Sequence, residues 1–181
     1  MNKSESKLHR SDIAAIILTK NESLHLKRAI QSLTPICRQI FVVDSYSTDD
    51  TVTIAEQGGA FVLQNKFQNY AKQFQWGLDN APITTEWVMR LDADEIIEAD
   101  LQQEILEKLP TLGEEVSGIN LKRKHIFMDR WVRHGGRYPL VLLRIWRRGL
   151  GRIEDRWMDE HMVLSGGKTE TFQGGFADHN L

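Results

Sequence analysis

Short apolar runs alternate with amphipathic segments along the first part of the chain. Runs bounded by polar turns predict buried strands at 12–18, 40–43, 60–63 and 87–91. Apolar residues at helical spacing predict helices at about 23–33, 50–57, 70–80 and 100–109. Because strands and helices alternate, the sequence predicts an α/β fold in which helices cover both faces of a parallel sheet.

The pattern changes after Val116. Alternate positions in 119–127 predict an amphipathic strand, and further strands are predicted at 140–146 and 162–164. Gly135 and Gly136 are predicted to form a turn between the first two of these strands. We expect the later strands to join the first sheet in antiparallel orientation, which gives a mixed sheet.

The same pattern sets the expected domain limits. Residues 1–11 are polar and are predicted to form a disordered lead-in. Residues 12–181 are predicted to form a single domain, with an N-terminal half at 12–115 and a C-terminal half at 116–181. The last residues carry no stop signal or polar tail, so we expect the natural protein to continue beyond Leu181.

Composition is that of an ordinary soluble domain, with 41% hydrophobic and 27% charged residues and a net charge of -2. The single cysteine, Cys37, excludes an internal disulfide and suits a reducing compartment. No signal peptide or membrane-spanning run is visible in the sequence. We therefore expect a cytoplasmic protein.

Positive charge is concentrated in residues 122–156, called here the basic block, which hold 11 Lys and Arg against 3 Asp and Glu. Such a field attracts phosphates, acidic glycans or anionic lipid, and it predicts peripheral contact with the inner face of the cytoplasmic membrane. The alternative is a solvated face that balances the acidic first half. No nucleic-acid recognition module surrounds the block, so we predict no nucleic-acid partner.

Carboxylates follow the apolar run at 87–91, as Asp92, Asp94 and Glu95. Alternate residues of an extended chain point the same way, so both aspartates can reach one ligand. Hard divalent ions such as Mg²⁺ or Mn²⁺ take oxygen ligands and leave positions for phosphates. The segment therefore predicts a metal–diphosphate site, with a solvated acidic loop as the alternative.

Other predicted strands also end in polar residues, at Thr19 to Glu22 and at Asp44. Ligands of open α/β sheets bind beyond the carboxyl ends of the strands. We therefore expect these polar residues and the carboxylates at 92–95 to converge on one crevice, which favours the metal–diphosphate interpretation.

Several segments together resemble family 2 glycosyltransferases of the GT-A fold, a Rossmann-like mixed sheet. They are ILTKNE at 17–22, FVVDSYSTDDT at 41–51, MRLDADE at 89–95, YP at 138–139, LRIWRR at 143–148 and MDEH at 158–161. They occur in the family's order and cover residues 12 to about 165. The chain is most similar to the bacterial branch that builds lipopolysaccharide core and other surface glycans.

The resemblance implies inverting transfer of a sugar from a nucleotide donor, usually UDP-linked, with a divalent metal. The implied nucleotide-binding residues are Thr19, Glu22, Asp44, Asp49, Lys72 and Asp92. Asp44 would accept the N3–H of uracil, and Asp92 would face the ribose or metal-bound waters. For Asp49, helix capping is an equal alternative, and Lys72 lies displaced from the family's basic position. Asp94 is the implied metal ligand, with Asp92 beside it and His179 as a further ligand.

Inverting transfer also requires a general base for the acceptor hydroxyl. Glu160 matches the family's base, and Asp159 replaces the histidine that normally precedes it. A surface acidic pair is the alternative for these two residues. His161 is predicted as a structural hydrogen-bonder or a phosphate contact. Indole rings that could line an acceptor groove belong to Trp131, Trp146 and Trp157, with core burial as the alternative for Trp146.

Other function classes fit the residues less well. A catalytically inactive nucleotide- or glycan-binding domain of the same fold remains the main alternative. A phosphatase of the haloacid dehalogenase type also places D-x-D after a strand, but Glu95 and Arg90 depart from its pattern. A sugar nucleotidyltransferase would need a Gly-rich phosphate loop after the first strand, and the sequence has none.

Overall fold

A computed structural model describes residues 10–127, 130–131, 138–154 and 161–179. Its strands are β1 (Ser11–Thr19), β2 (Cys37–Asp44), β3 (Phe61–Gln64), β4 (Trp87–Arg90), β5 (Glu95–Ile97), β6 (Val116–Phe127), β7 (Arg130–Trp131), β8 (Leu140–Arg147), β9 (Gly151–Ile153), β10 (Met162–Leu164) and β11 (Lys168–His179). Its α-helices are α1 (Leu26–Leu33), α2 (Thr51–Gln57), α3 (Tyr70–Asn80) and α4 (Ala99–Lys108), and a 3₁₀ turn follows at Leu109–Thr111.

One large sheet has the strand order β3-β2-β1-β4-β8-β6-β11-β5, and β7 pairs with β6. The strands β1 to β4 are mutually parallel where they pair, as predicted from their alternation with helices. β8 runs antiparallel to both β4 and β6, which confirms the predicted mixed sheet. β9 and β10 pair with each other in a separate two-stranded sheet.

The two faces of β1 belong to two different cores. Ile13, Ala15 and Ile17 pack with α1 and α4, whereas Ala14 and Ile16 pack with α3 and Trp146. This period of two is the reason why the strand is apolar throughout, since both of its faces are covered. The apolar face predicted for α1 is confirmed, with its four apolar residues buried against the first core.

Only residues 91–94 join β4 to β5, yet β8, β6 and β11 lie between these two strands in the sheet. Five residue steps span at most about 17 Å, whereas four strand spacings cover about 19 Å across a flat sheet. The sheet therefore has to curl, and the curl brings the end of β4 towards β6, β8 and β11.

Four strands were not predicted, namely β5, β7, β9 and β11. β11 runs antiparallel to β5 but parallel to β6, so the expectation of antiparallel additions is wrong for that pair. Ser11, which the prediction placed in the lead-in, is buried and begins β1. The predicted turn at Gly135 and Gly136 lies outside the described residues.

No helix of the described residues is long and apolar enough to cross a membrane.

Candidate active site

Asp92 follows β4 and is held on two sides by other side chains. The Tyr70 hydroxyl donates to Asp92 Oδ1 at 2.7 Å, and Arg90 Nε lies 3.4 Å from the same oxygen. Arg144 Nη2 lies 3.6 Å from Asp92 Oδ2. Burial alone would raise the pKa of Asp92, but the guanidinium groups of Arg144 and Arg90 lower it to about 2. Asp92 is therefore an oriented carboxylate that is ionised at neutral pH.

Glu95 begins β5 and lies beneath Asp92, where only 1% of its surface is exposed. Its Oε2 accepts the backbone N–H of Asp92 at 2.9 Å, and its Oε1 accepts from Arg144 Nη2 at 2.9 Å. Burial raises the pKa of Glu95 to about 7, although the Arg144 guanidinium acts in the opposite direction. Glu95 thus closes the turn that carries the two aspartates and pairs with a buried arginine.

Arg144 and Arg123 come from β8 and β6, at the centre of the C-terminal part of the sheet. Arg144 is buried, and it also stacks over the Phe176 ring at 5.0 Å. Arg123 Nη1 lies 3.7 Å from Glu95 Oε1. Neither arginine was predicted as a site residue, because the sequence shows them as members of the basic block, and Arg144 also as part of the family-like segment at 143–148, without indicating a role.

Asp94 is the second aspartate of the D-x-D segment, and it lies close to other carboxylates. Burial raises its pKa first, and the negative charges of Asp178 and Asp92 raise it further. Asp178 comes from β11, and its Oδ2 lies 3.2 Å from His125 Nδ1. Asp178 Oδ1 is buried and has no hydrogen-bond partner among the described residues. Close carboxylates with an unpartnered buried oxygen suit a hard divalent cation.

The site is not a ready-made cage. No group of three His, Cys, Asp or Glu side chains within the described parts of the chain is already gathered for a metal ion. Such an arrangement fits an ion that is completed by substrate phosphates, as Mg²⁺ usually is. The backbone of His179 ends β11, but its side chain lies outside the description, so its predicted role as a ligand stays a prediction.

Thr19 and Asp44 end β1 and β2, and they meet as predicted. Asp44 is fully buried and accepts from Thr19 Oγ1 at 2.9 Å, from Ser47 N at 2.9 Å and from Ser47 Oγ at 2.5 Å. Gln64 Nε2 adds a fourth bond at 3.3 Å. Burial would raise the pKa of Asp44, but these hydrogen bonds outweigh it and lower the pKa. Contact with a base would require one of these bonds to be exchanged.

Asp49 ties the loop after β2 to the loop after β1. Its Oδ1 accepts from Thr51 N at 3.1 Å and from Thr51 Oγ1 at 2.5 Å, and its Oδ2 accepts from Ser23 N at 3.2 Å. The hydrogen bonds from Thr51, which begins α2, lower the pKa of Asp49 to about 2. These contacts are those of the capping alternative.

Glu22 lies between the two groups of residues. Burial raises its pKa, the nearby His25 lowers it, and the charges of Asp94 and Asp49 raise it again. Glu22 is thus electrostatically coupled both to the D-x-D segment and to the Asp49 loop. This coupling supports the predicted convergence of polar strand ends on one crevice, which stays a prediction.

Two other predicted residues lie apart from this cluster. Lys72 is exposed on α3, and the contact recorded for its Nζ is with Gln68 Oε1 at 3.4 Å. Trp146 is 1% exposed and packs edge-on against Phe74, so its alternative of core burial is the correct one. Trp131 packs edge-on against Tyr138, with ring centroids 4.9 Å apart. The predicted bases Asp159 and Glu160, and also Trp157, lie outside the described residues.

A cavity of about 530 Å³ opens beside Asp92 on the side of β8 and β6. Three guanidinium groups line it, together with one aliphatic strand segment and the start of β10. The lining residues are Arg90, Asp92, Arg123, the β8 residues at 140–143, Arg144, His161 and Met162. The sequence indicated His161 as a structural or phosphate contact, and it lies at this cavity.

The basic block is less open than its composition suggested. Arg144 is buried, and Arg147 donates to the carbonyl oxygens of Val116 at 2.7 Å and Gly113 at 2.9 Å. Lys124 forms an ion pair with Glu98. These three side chains are engaged within the protein, whereas Arg148 and Arg152 of the same block are exposed.

Comparison with known sequences agrees with this geometry. The sequence profile described as glycosyl transferase family 2 matches residues 14–172. The chain therefore belongs to this family.

Two relatives illustrate the match. An uncharacterized glycosyltransferase of Rickettsia felis is 43% identical over 93 residues, which are 51% of this chain and 32% of that protein. The lipopolysaccharide core biosynthesis glycosyltransferase LpsC of Rhizobium meliloti is 29% identical over 147 residues, 78% of this chain and 53% of LpsC. The matches span about a third of the first relative's length and about half of the second's.

Solved structures share the fold. Glucosyl-3-phosphoglycerate synthase of Mycobacterium tuberculosis with phosphoglyceric acid has a TM-score of 0.63 and 18% identity, covering 97% of this chain and 74% of that one. The same synthase with Mn²⁺, UDP and glucosyl-3-phosphoglycerate has a TM-score of 0.50 and 23% identity, covering 66% and 45%. This likeness confirms the predicted GT-A fold.

Proposed function

We propose that this domain is a metal-dependent, inverting glycosyltransferase, which moves a sugar from a UDP-linked donor to an anionic surface glycan or glycolipid. One observation carries the proposal. Asp94 lies at the carboxyl end of β4 beside Asp178, whose buried Oδ1 has no partner among the described residues. A divalent cation would neutralise this concentration of negative charge and could in turn bind the diphosphate of a donor.

Asp94 and Asp178 are the described residues that would hold the metal, with His179 as a further candidate ligand. When bound, a divalent cation neutralises the negative charge on the departing nucleoside diphosphate. Mn²⁺ or Mg²⁺ accompanies UDP in structures of the mycobacterial synthase, which supports this assignment.

The donor nucleotide is proposed to lie over the loops after β1 and β2. Thr19, Glu22 and Asp44 lie there, and Asp49 holds the two loops together through Ser23. Asp92 is proposed to accept from a ribose hydroxyl, because Tyr70 and two arginines fix the orientation of its carboxylate. Lys72 is exposed and remains a weaker candidate for the diphosphate.

The acceptor hydroxyl must lose its proton as it attacks the anomeric carbon. Glu160, or Asp159 beside it, is proposed as the base, a role that contributes ~10²–10⁴-fold to the rate of such reactions. Both follow the β9 strand and precede His161, which lines the cavity beside Asp92.

The acceptor is proposed to be anionic. Phosphoglyceric acid, which is bound in one structure of the mycobacterial synthase, is itself an anion. Contact of the basic block with an anionic membrane receives no support from the buried or paired side chains described above, so the proposal concerns the acceptor alone.

Calorimetric titration of UDP with and without Mn²⁺ tests the proposal. Wild-type protein should bind UDP more tightly with Mn²⁺, and Asp94→Ala should lose this metal-dependent gain. Asp79→Asn is a matched control, since Asp79 is exposed on α3. Equal binding by Asp94→Ala with Mn²⁺ would refute the assignment of the metal site.

An inactive domain that only binds nucleotides or glycans is the second candidate, because the described residues gather no complete group of metal ligands. Release of free sugar or transfer product from the tightest-binding UDP-sugar separates the two. Binding without any turnover, in a chain extended to the length of its relatives, would favour the inactive domain.

A further inference from the structure

The cavity beside Asp92 contains more positive than negative charge. Arg90, Arg123 and Arg144 line it, and Asp92 is the one carboxylate among its lining residues. Glu95 lies behind this wall and reaches Arg144 at 2.9 Å. Counting both carboxylates, three guanidinium groups meet two acids.

The excess charge can be traced to Arg123. Arg144 bonds Glu95 directly, and Arg90 contacts Asp92 while stacking on the Tyr70 ring at 4.5 Å. Arg123 lies 3.7 Å from Glu95 Oε1, which is longer than a hydrogen bond, and 30% of its side chain is exposed. It therefore has donors available to an anion in the cavity.

The cavity also lies apart from the proposed nucleotide loops. Its wall is built from β4, β6, β8 and β10, whereas the proposed nucleotide loops after β1 and β2 do not contribute to its lining. Asp92 separates the two regions. A molecule in the cavity would thus face the donor sugar across the D-x-D segment.

We propose that Arg123, supported by Arg90, binds an anionic phosphate or carboxylate group of the acceptor, close to the hydroxyl that receives the sugar. This inference rests on the proposed function and names the acceptor chemistry. A guanidinium fork matches both kinds of oxyanion. The aliphatic segment at 140–143 offers a surface for the apolar face of an adjoining sugar ring.

Saturation-transfer NMR with simple sugars tests the inference, in the presence of saturating UDP and Mn²⁺ so that the diphosphate site is filled. The probes are glucose 6-phosphate, glucuronate and neutral glucose. We expect at least one anionic sugar to bind at least about tenfold more tightly than glucose, because glucose cannot form the charge-assisted bond to Arg123. The tighter of the two anions identifies the group as phosphate or carboxylate.

Arg123→Gln should abolish this preference while UDP binding stays within twofold of wild type. Arg152→Gln is the matched control, because Arg152 is an exposed basic-block residue that lines a different depression with Gln75 and Gly151. Arg123→Lys should retain part of the preference, since it keeps the charge but not the planar fork.

Three results would overturn the inference. Equal binding of all three sugars would show that the cavity does not select an anionic group. An unchanged preference in Arg123→Gln would show that residues other than Arg123 bind the anionic group. Loss of UDP binding in Arg123→Gln would assign the arginine to the donor instead. Failure of the wild type to bind UDP is a different result, which refutes the proposed function itself.

Discussion

The two sides of Asp92 hold their polar groups in different ways. On the nucleotide side, Asp44 and Asp49 accept from hydroxyl and backbone donors of two neighbouring loops. On the cavity side, Asp92 and Glu95 share the guanidinium of Arg144, which comes from a strand about fifty residues later. Because several donors share each loop carboxylate, the loss of any one donor should lower stability only moderately. The buried charges depend on one another, so removing one leaves the others unpaired.

The largest effect on stability is expected from Arg144→Met, which removes the shared cation on the cavity side. It leaves Glu95, which is 1% exposed, and Asp92 without their shared cation. We expect the free energy of unfolding to fall by about 3–5 kcal/mol. Urea unfolding measures the change.

Arg152→Met is the control for that measurement, because Arg152 is exposed, and it should change stability by no more than about 0.5 kcal/mol. A loss below about 1 kcal/mol in Arg144→Met would mean that the carboxylates do not depend on this cation.

Glu95, on the cavity side, should make the free energy of unfolding depend on pH. Its pKa is raised to about 7 in the folded state, against about 4.3 in an unfolded chain. The folded state therefore keeps a proton that the unfolded state releases. Stability contributed by this proton is complete below about pH 4 and is lost as the pH rises through about 7.

Urea unfolding of wild type and Glu95→Gln at about pH 5 and pH 7 tests this direction of the pH dependence. The wild type should lose stability over that interval relative to the variant, since glutamine does not titrate. Parallel pH profiles for the two proteins would show that the pKa of Glu95 is not raised.

Asp44→Asn tests the nucleotide side. The amide oxygen can still accept from Ser47 N and Gln64 Nε2, but the NH₂ group then faces the hydroxyls of Thr19 and Ser47. Both hydroxyls would have to accept where they now donate, and the negative charge that the four donors stabilise is lost. We expect a loss of about 2 kcal/mol in unfolding free energy, the scale of hydrogen bonds to a buried charged group. Asp50→Asn should have little effect, because its side chain caps nothing although it stands at the start of α2.

Tyr70→Phe should give the smallest effect and sharpens the boundary between the two sides. It removes the hydroxyl that donates to Asp92 Oδ1 at 2.7 Å but keeps the ring on which Arg90 stacks. We expect a loss of about 1 kcal/mol and a higher pKa for Asp92. NMR titration of the Asp92 carboxyl carbon measures the pKa, and an unchanged value would show that the two cations alone hold Asp92.

The sequence pattern predicted the first half of the fold well. β1 to β4 and α1 to α4 follow from short apolar runs and helical periodicity, which depend on neighbouring residues. The end of β4 at a D-x-D segment was readable for the same reason. Even the meeting of Thr19 with Asp44 follows from parallel strands that end at one edge of a sheet.

The sequence pattern predicted the second half of the fold less well, because its strands pair with partners that are distant in sequence. β11 contains glycines and polar residues, so no apolar run indicates a strand, yet it pairs with both β6 and β5. Asp178 was missed with it. Arg123 and Arg144 were read as members of a surface field, since composition does not reveal which positive charges a curled sheet will bury.

By itself, the sequence determined the alternating elements, the carboxylates at the strand ends and the family resemblance, because each is a local pattern. Only the tertiary structure decided which charges meet. The short connection from β4 to β5 forces the sheet to curl, and the curl places Glu95 against Arg144 and Asp94 near Asp178. Coulomb energies and desolvation depend on distance and burial in space, which no linear spacing specifies.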